Sequence, residues 1–413
     1  MECTPEERER IKAIQRYLEG EKAVEIYRSL GRSKHWFYEW LNRYDPNSKK
    51  WYKNESKRPK VTPHQTIERI EKAVVNIRKA LMDGTEDYAK YSCVGAEAVQ
   101  FHMEELGFEP SEIPSLSTVK RIIKRNKLRV NKKKRYKRIR SKGRHTILKP
   151  KYINEMHQMD YVGPRHIKGY GPINYLHLKD YVGRQVAGNQ YHGKSMDNVM
   201  SFLLDYWIHH PVPKYLQVDN GMCFAGDFRH PKSFSRFVRL ALYVGIEVVF
   251  IAPARPWMNG TIEEFNRLFD ELFWAKEQFK DLDDIRTKSP IMYKTQNKFN
   301  RWKLKNKYLE AIQPPRMLKE GCSIDANNLP LVTGRVHFIR IVNSRGEINL
   351  LNEDFPVGKE YIGEYIWATI ETRKQTLSVY YKDEDLIVRL INVFGYDISD
   401  RICYRNNKIF INL

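Results

Sequence analysis

The apolar positions follow three successive spacings along the chain. Up to about residue 125 they recur at helical intervals, then short apolar runs alternate with helical stretches, and beyond about residue 335 they alternate at period two. In the first stretch Ile11, Ile14 and Leu18, then Ala23, Val24, Ile26, Tyr27 and Leu30, mark one face of successive helices. Gly20 and Gly31 punctuate them, and Ser33 is a good N-cap for a helix carrying His35 to Asn42. Helix, short Gly-containing turn and second helix is the spacing of a helix-turn-helix, although a plain helical bundle has the same pattern. A second helical unit is expected from about Thr66 to Leu81, from about Gly95 to Leu106, and from Ser117 onward in PSLSTVKRIIKRNKL. Residues 45–66 between the units are polar, contain three prolines and read as a linker.

Past Pro150 the runs INEMHQMDYVG, INYLHLKDYVG and RQVAGNQYH predict three strands, the first ending in Asp160 and the second in Asp180. A helix from about Ser195 to His209 follows, then a short buried strand, PKYLQVDNG, that delivers Asp219 to an Asn-Gly turn. Helix FSRFVRLALYVG, strand EVVFIAP and the segment RPWMNGTIEEFNRLFDELFW, a loop that becomes a helix, complete an α/β sheet with helices on its faces. Residues 276–320 are helical, basic and aromatic. The period-two runs VHFIRIV, GEINLL, IWATIET, TLSVYY and LIVRLI predict five short strands and a small β-barrel.

At 413 residues the chain is too long for one ordinary domain. The expected organisation is a helix-turn-helix at 1–45, a linker at 46–66, a second helix-turn-helix at 67–130 and a basic linker at 131–150. An α/β core at 151–280, a helical connector at 281–325 and the barrel at 326–413 follow. Hydrophobic residues make up 41%, enough for real cores. The net charge of +22 favours a polyanionic partner, because each neutralised phosphate releases counterions. The stretch from Ile113 to Asn154 holds 17 Lys and Arg and no Asp or Glu, so it reads as an arm tracking a DNA backbone, with Lys132, Lys133, Lys134 and Arg135 at its centre. The five cysteines are scattered without a CxxC pair, which argues against structural zinc and a disulfide framework. The charged start and the lack of an apolar run of about 20 residues predict a cytoplasmic or nucleoid-associated protein with no membrane partner.

Two Asp side chains at the ends of neighbouring strands, with a Glu from a facing helix, would gather three carboxylates in one pocket. Such a group repels itself unless cations neutralise it, and hard oxygen ligands without nearby His or Cys suit Mg²⁺ or Mn²⁺. Two such ions about 3.5–4 Å apart can activate an attacking oxygen and stabilise a leaving one on a phosphodiester.

HQMDYVG around Asp160, QVDNGMCF around Asp219 and APARPWMNGTIEEFNR, in this order, resemble the DDE transposases and integrases that share the retroviral integrase core, including insertion-sequence and phage Mu types. The resemblance covers roughly residues 150 to 275. It implies an RNase H-like core in which Asp160, Asp219 and Glu263 are the catalytic, metal-holding set for two ions, with Asp160 shared between them. It also implies cutting at element ends and joining of 3′ hydroxyls to target DNA. The string LGRSKHWFYEWLNRY resembles the recognition segment of transposase helix-turn-helix domains. Ser33, Lys34, His35 and Tyr38 would then face the major groove while Trp36, Phe37, Trp40 and Leu41 pack inward. Ser117, Thr118, Lys120 and Arg121 are the corresponding candidates in the second unit.

Two departures from the family pattern stand out. The 43 residues between Asp219 and Glu263 exceed the spacing of the best-known members, so an inserted surface loop is expected near 226–233. The neighbour of Glu263 is a second acid, Glu264, where many relatives carry Arg. One residue is about 100° around a helix, so only one of the two can face the pocket. Asn259, Glu263, Asn266 and Arg267 share a face, which favours Glu263. Asn220 and Asn259 are expected to support the carboxylates, and Asp180 to be structural. Expected partners are double-stranded DNA (element ends and target) and further copies of the chain assembled on it, with an ATPase helper left open. Two rival readings are a catalytically silent DNA-binding regulator and a metal-dependent nuclease that cuts without joining.

Overall fold

The computed structural model describes residues 3–55, 66–130, 147–226, 232–305, 307, 309–404 and 407–412. The chain divides into two compact units, Met1–Thr66 and Ile67–Leu413.

In the first unit α1 (Pro5–Leu18), α2 (Ala23–Ser29) and α3 (Lys34–Arg43) enclose a small core of Ala13, Ile14, Ile26, Phe37 and Trp40. Both longer helices start where side chains satisfy otherwise orphaned amides: Thr4 with Glu7 forms a capping box, and Ser33 accepts from the Trp36 amide. Part of the predicted linker belongs to this unit. Trp51 packs edge-on against Tyr44 at 5.1 Å, and the Tyr52 carbonyl accepts from Arg10, whose guanidinium lies 4.0 Å over Trp40. Burial of that arginine stem, with its charge on an aromatic face, replaces an aliphatic core residue.

The second unit begins with α4 (Glu68–Asp83), α5 (Ala96–Glu105) and α6 (Leu116–Arg125), close to the predicted spans. The meander follows as β1 (Met156–Ile167), β2 (Gly171–Asp180) and β3 (Val186–Tyr191). The α/β alternation is α7 (Met196–His209), β4 (Tyr215–Val218), the single turn α8 (Met222–Ala225), α9 (Arg236–Tyr243), β5 (Glu247–Phe250) and α10 (Gly260–Phe269). α11 (Leu282–Leu304) then runs back along β3 and α5. Of the expected insertion near 226–233, residues 227–231 lie outside the described residues, as do the arm candidates Lys132, Lys133, Lys134 and Arg135.

The C-terminal third corrects the sequence reading. After the short strands β6 (Arg316–Leu318) and β7 (Leu331–Val332), β8 (Arg335–Ile341) pairs parallel to β5, with Val248 opposite Val336 and Phe250 opposite Phe338. β9 (Glu347–Leu350) and β10 (Glu353–Pro356) form a side hairpin. β11 (Tyr365–Glu371), β12 (Thr376–Lys382) and β13 (Val388–Gly395) then extend β8 antiparallel. The result is one nine-stranded sheet, β13-β12-β11-β8-β5-β4-β1-β2-β3, in place of a separate small β-barrel. Four of the five predicted strands join the core sheet. An unpaired β5 edge would leave buried amides and carbonyls unsatisfied, and β8 supplies their partners. β14 (Ile402–Cys403) and β15 (Phe410–Asn412) pair with β7 and β6 and close the chain onto the same body.

The second helical unit is not a separate bead either. Its core of Ile70, Val74, Leu81, Val99, Phe101 and Ile122 includes Phe299 of α11, with Trp302 packed against it. No helix among the described residues is long and apolar enough to cross a membrane.

Candidate active site

Two strands deliver an acid after the same short phrase, Gln-Met-Asp in β1 and Gln-Val-Asp in β4. β1 and β4 are adjacent and parallel, with Gln158 opposite Gln217, so Asp160 and Asp219 follow two residues further along neighbouring strands. Side chains two apart in a strand share a face, so each glutamine points to the same side as its aspartate. Both glutamines hold the start of α10. The Gln158 Oε1 accepts from the amides of Thr261 at 3.0 Å and Ile262 at 3.1 Å. The Gln217 Nε2 donates to the Met258 carbonyl at 2.9 Å and to Asn259 Oδ1 at 3.3 Å. Asn259 in turn donates to the Met159 carbonyl at 3.2 Å. Five polar contacts thus fix the helix carrying Glu263 to the two strands carrying the aspartates, and all three amide side chains are buried.

The carboxylates feel one another. Burial pushes Asp160 up to about 7, the charges of Asp219 and Glu263 push the same way, and Lys194 opposes them. Glu263 is raised by burial and then by Asp219. Glu264 points elsewhere: its side chain is 55% exposed and lies 3.6 Å from Lys179 Nζ. Asp180 is buried and accepts from the amides of Asn154 and Val182, each at 3.1 Å, as a structural acid closing a turn. Gly221 donates its amide to Asp219 Oδ1 at 2.9 Å, and a Cβ on Gly221 would stand 2.9 Å from that oxygen. The Asn-Gly turn therefore keeps room beside the acid.

Three further residues complete the surroundings. Asn266, one turn beyond Glu263, donates to Asp160 Oδ2 at 2.9 Å, and its Oδ1 lies 2.8 Å from His177 Nδ1. Because the Asn266 amide nitrogen serves the carboxylate, its oxygen must accept, which assigns the His177 proton to Nδ1. Burial holds His177 down to about 4, so it is the neutral ring that does this. On the other side Arg340 of β8 is buried and donates to Asn220 Oδ1 at 3.0 Å, to the Ile339 carbonyl at 2.9 Å and to the Asn349 carbonyl at 3.0 Å. Asn220 also donates to the Ile251 carbonyl at 2.6 Å. A guanidinium from the C-terminal third thus holds the turn that presents Asp219.

Among the described residues no three His, Cys, Asp or Glu side chains enclose a single ion. Magnesium commonly takes one or two carboxylates and completes its shell with water and phosphate oxygens, so a ready-made cage is not required. The all-oxygen donor set and the unneutralised Asp160 fit a hard divalent cation.

Of the predicted acids, Asp160 feels the charges of Asp219 and Glu263, and Glu263 that of Asp219. Asn220 and Asn259 flank them with their amides engaged by protein. In α3, Ser33, Lys34, His35 and Tyr38 are exposed while Phe37 and Trp40 are buried. In α6, Ser117, Lys120 and Arg121 are exposed and Thr118 is half-buried, accepting from Arg121 at 3.0 Å. Sequence reading missed the roles of Gln158, Gln217, His177, Lys194 and Arg340. The repeated Gln-x-Asp was a usable signal for the first two; nothing local marks the others.

No curated protein matches this chain. Among solved structures, the HTLV-2 integrase catalytic core domain in complex with magnesium is 16% identical, with a TM-score of 0.26, over 38% of this chain and 90% of that one. The catalytic core domain of BIV integrase is 18% identical, with a TM-score of 0.25, over 38% and 88%. A simian T-cell lymphotropic virus intasome in complex with PP2A regulatory subunit B56 gamma is 12% identical, with a TM-score of 0.30, over 78% and 99%. At such loose overlap these stand as likenesses alone. In the N-terminal unit, residues 4–48 match the family described as a homeodomain-like domain.

Proposed function

We propose that this chain is a DNA transposase or integrase, a two-metal polynucleotidyl transferase that cuts element ends and joins the freed 3′ hydroxyls to target DNA. The observation that carries the reading is the carboxylate trio on one scaffold: Asp160 and Asp219 on adjacent strands, and Glu263 on a helix fixed to both by Gln158 and Gln217. The homeodomain-like match at residues 4–48 and the net charge of +22 support a DNA substrate.

Asp160, Asp219 and Glu263 would hold Mg²⁺ or Mn²⁺, with Asp160 shared. Bound there, the ions supply charge neutralisation and Lewis-acid activation at the phosphodiester. The protein's own part is positioning. Asn266 fixes one oxygen of Asp160, His177 fixes Asn266, and Arg340 with Gly221 fixes the Asp219 turn. Preorganised groups of this kind need not rearrange as charge develops. Water attacks the phosphodiester at the element end and releases a 3′ hydroxyl; that hydroxyl attacks target DNA and displaces a 3′ oxygen there.

The test is metal-dependent cleavage and strand transfer on labelled duplex carrying the sequences that flank the gene. Asp160→Asn, Asp219→Asn and Glu263→Gln should each lower both steps by at least about 10⁴-fold, since residues acting as one unit fail together. DNA binding should persist. Activity surviving in Glu263→Gln but lost in Glu264→Gln would move the third ligand. Cutting without joining favours the nuclease, and binding without cutting the silent regulator.

A further inference from the structure

A cavity of about 570 Å³ opens on another side of α10, bounded by α5, α6 and α11. Glu263 does not line it; Glu264, Arg267 and Leu268 do. Cations enter from every side except α5: Lys120 from α6, Lys179 from β2, Arg184 from the turn after β2, Arg267 from α10, and Lys303 and Lys307 from α11 and just beyond. The acids in the lining are Glu97 and Glu264.

The local pairings leave positive charge over. Lys303 meets Glu97 at 2.9 Å, and Arg267 meets Glu271 at 3.2 Å. Lys179 has only 5% of its side chain exposed, donates to the Thr261 carbonyl at 3.2 Å and faces the largely exposed Glu264 at 3.6 Å. Arg184 donates to Thr261 Oγ1 at 3.2 Å, a neutral acceptor. Lys120 and Lys307 stand exposed at the rim. Burial lowers the Lys179 ammonium to about 8, and the charges of Arg184 and Lys303 push it further in the same direction against Glu264. The walls between the cations are apolar, with Ala96, Leu116, Phe299 and Leu304. Cations set on an apolar wall suit a ligand with phosphate on one edge and a carbon skeleton on the other. The volume lies within the range that encloses a small ligand, roughly 300–1,000 Å³, and excludes a duplex.

We infer that this cleft takes a phosphate–sugar segment of one DNA strand, so that DNA engaged by α6 is led along α10 of the same chain. The inference rests on the DNA-acting reading above and adds a second contact surface to it. Lys120 is the link: it belongs to the predicted recognition surface of α6 and to the lining of this cleft.

The experiment uses the full chain without metal and a fluorescent duplex with a single-stranded overhang, with affinity measured across a salt series. Lys120→Ala/Lys307→Ala should lower the slope of log affinity against log salt by roughly 1.4–1.8, equivalent to roughly 25–60-fold weaker binding at 0.1 M salt. A drop no larger than that of Lys359→Ala/Lys374→Ala, outside the cleft, overturns the inference. Inorganic phosphate at constant ionic strength is the second arm. Failure to displace DNA at millimolar levels supports the strand. Tight phosphate binding that the cleft variant loses reassigns the site to a free anion and overturns it. Metal-dependent nicking by the unsubstituted chain is scored in parallel. Nicking with an unchanged slope removes the cleft and keeps the enzyme; a fallen slope without nicking keeps the cleft and removes the enzyme.

Discussion

The two helical units share a sequence pattern and differ in how they are built in. α1 to α3 form a core of their own, with the third-helix side chains Ser33, Lys34, His35 and Tyr38 exposed. α4 to α6 have a core completed from elsewhere: the Phe299 ring of α11 lies tilted 5.4 Å from that of Phe101, and Trp302 donates to Glu104 at 2.7 Å. Gln296 of α11 also donates to the Tyr91 carbonyl at 2.8 Å, and the Tyr91 hydroxyl reaches Glu277 at 2.7 Å. The same helical phrase therefore makes a self-contained unit in one place and a wall of the larger body in the other. What decides is whether a unit can cover its own apolar stripe or must borrow a helix to do so.

Acid should expose the difference most strongly. His102, His157 and His177 are buried in the second unit and held down to about 4, 3 and 4, chiefly by desolvation. The unfolded chain takes up these protons near pH 6.5 and the folded chain does not, so their contribution to stability is intact above pH 6.5 and is lost as pH falls. At pH 5 each should cost about 2 kcal/mol. The described part of the first unit carries only the exposed His35. Asp160 and Asp180, raised by burial to about 7 and about 6, take up protons earlier in the folded chain and offset part of this loss. Calorimetry between pH 7 and 5 should therefore show a net fall in the body's transition while that of an isolated 1–66 fragment barely moves; parallel shifts would undo the contrast.

Phe299→Ala should cost about 3–4 kcal/mol by emptying a shared core. If α4 to α6 are part of the body, hydrogen exchange should rise in α4 and in the core strands together. Exchange rising in α4 to α6 alone would make them a separate domain after all. Arg340→Met comes next, at about 2–3 kcal/mol, because the Asn220, Ile339 and Asn349 oxygens lose a buried donor. It should also weaken catalysis by loosening the Asp219 turn, although Arg340 lies 120 residues further along the chain. Full activity in a variant with lowered thermal stability would confine Arg340 to the sheet. Ser33→Ala is the smallest, about 1 kcal/mol from a lost cap. It should melt α3 and weaken DNA binding without touching the body's transition temperature.

Much of the site was legible because its chemistry is local in sequence. Asp219 follows a strand end with a turn behind it, whereas Asp160, expected to end its strand, lies inside β1, which runs on to Ile167. The helical face of Asn259, Glu263 and Asn266 favoured one of two adjacent acids. In the structure Glu263 feels the charge of Asp219, while Glu264 lies beside Lys179. The C-terminal third was legible only as strands. Period two is identical in a barrel and in an open sheet, so the pattern of VHFIRIV could not reveal that β8 would pair with β5.

The sequence by itself determined the helices and their caps, the strands of the meander and the excess of positive charge. Each of these rests on side-chain period, on hydrogen bonds within a few residues, or on a count. Tertiary structure alone decided that one sheet runs through both the carboxylate site and the C-terminal strands. It also decided that the second helical unit leans on α11, and that His177 and Arg340 back the carboxylates through Asn266 and Asn220. Those outcomes depend on pairing exposed strand edges and covering apolar stripes with partners far away in the chain, and no local pattern encodes which partner arrives.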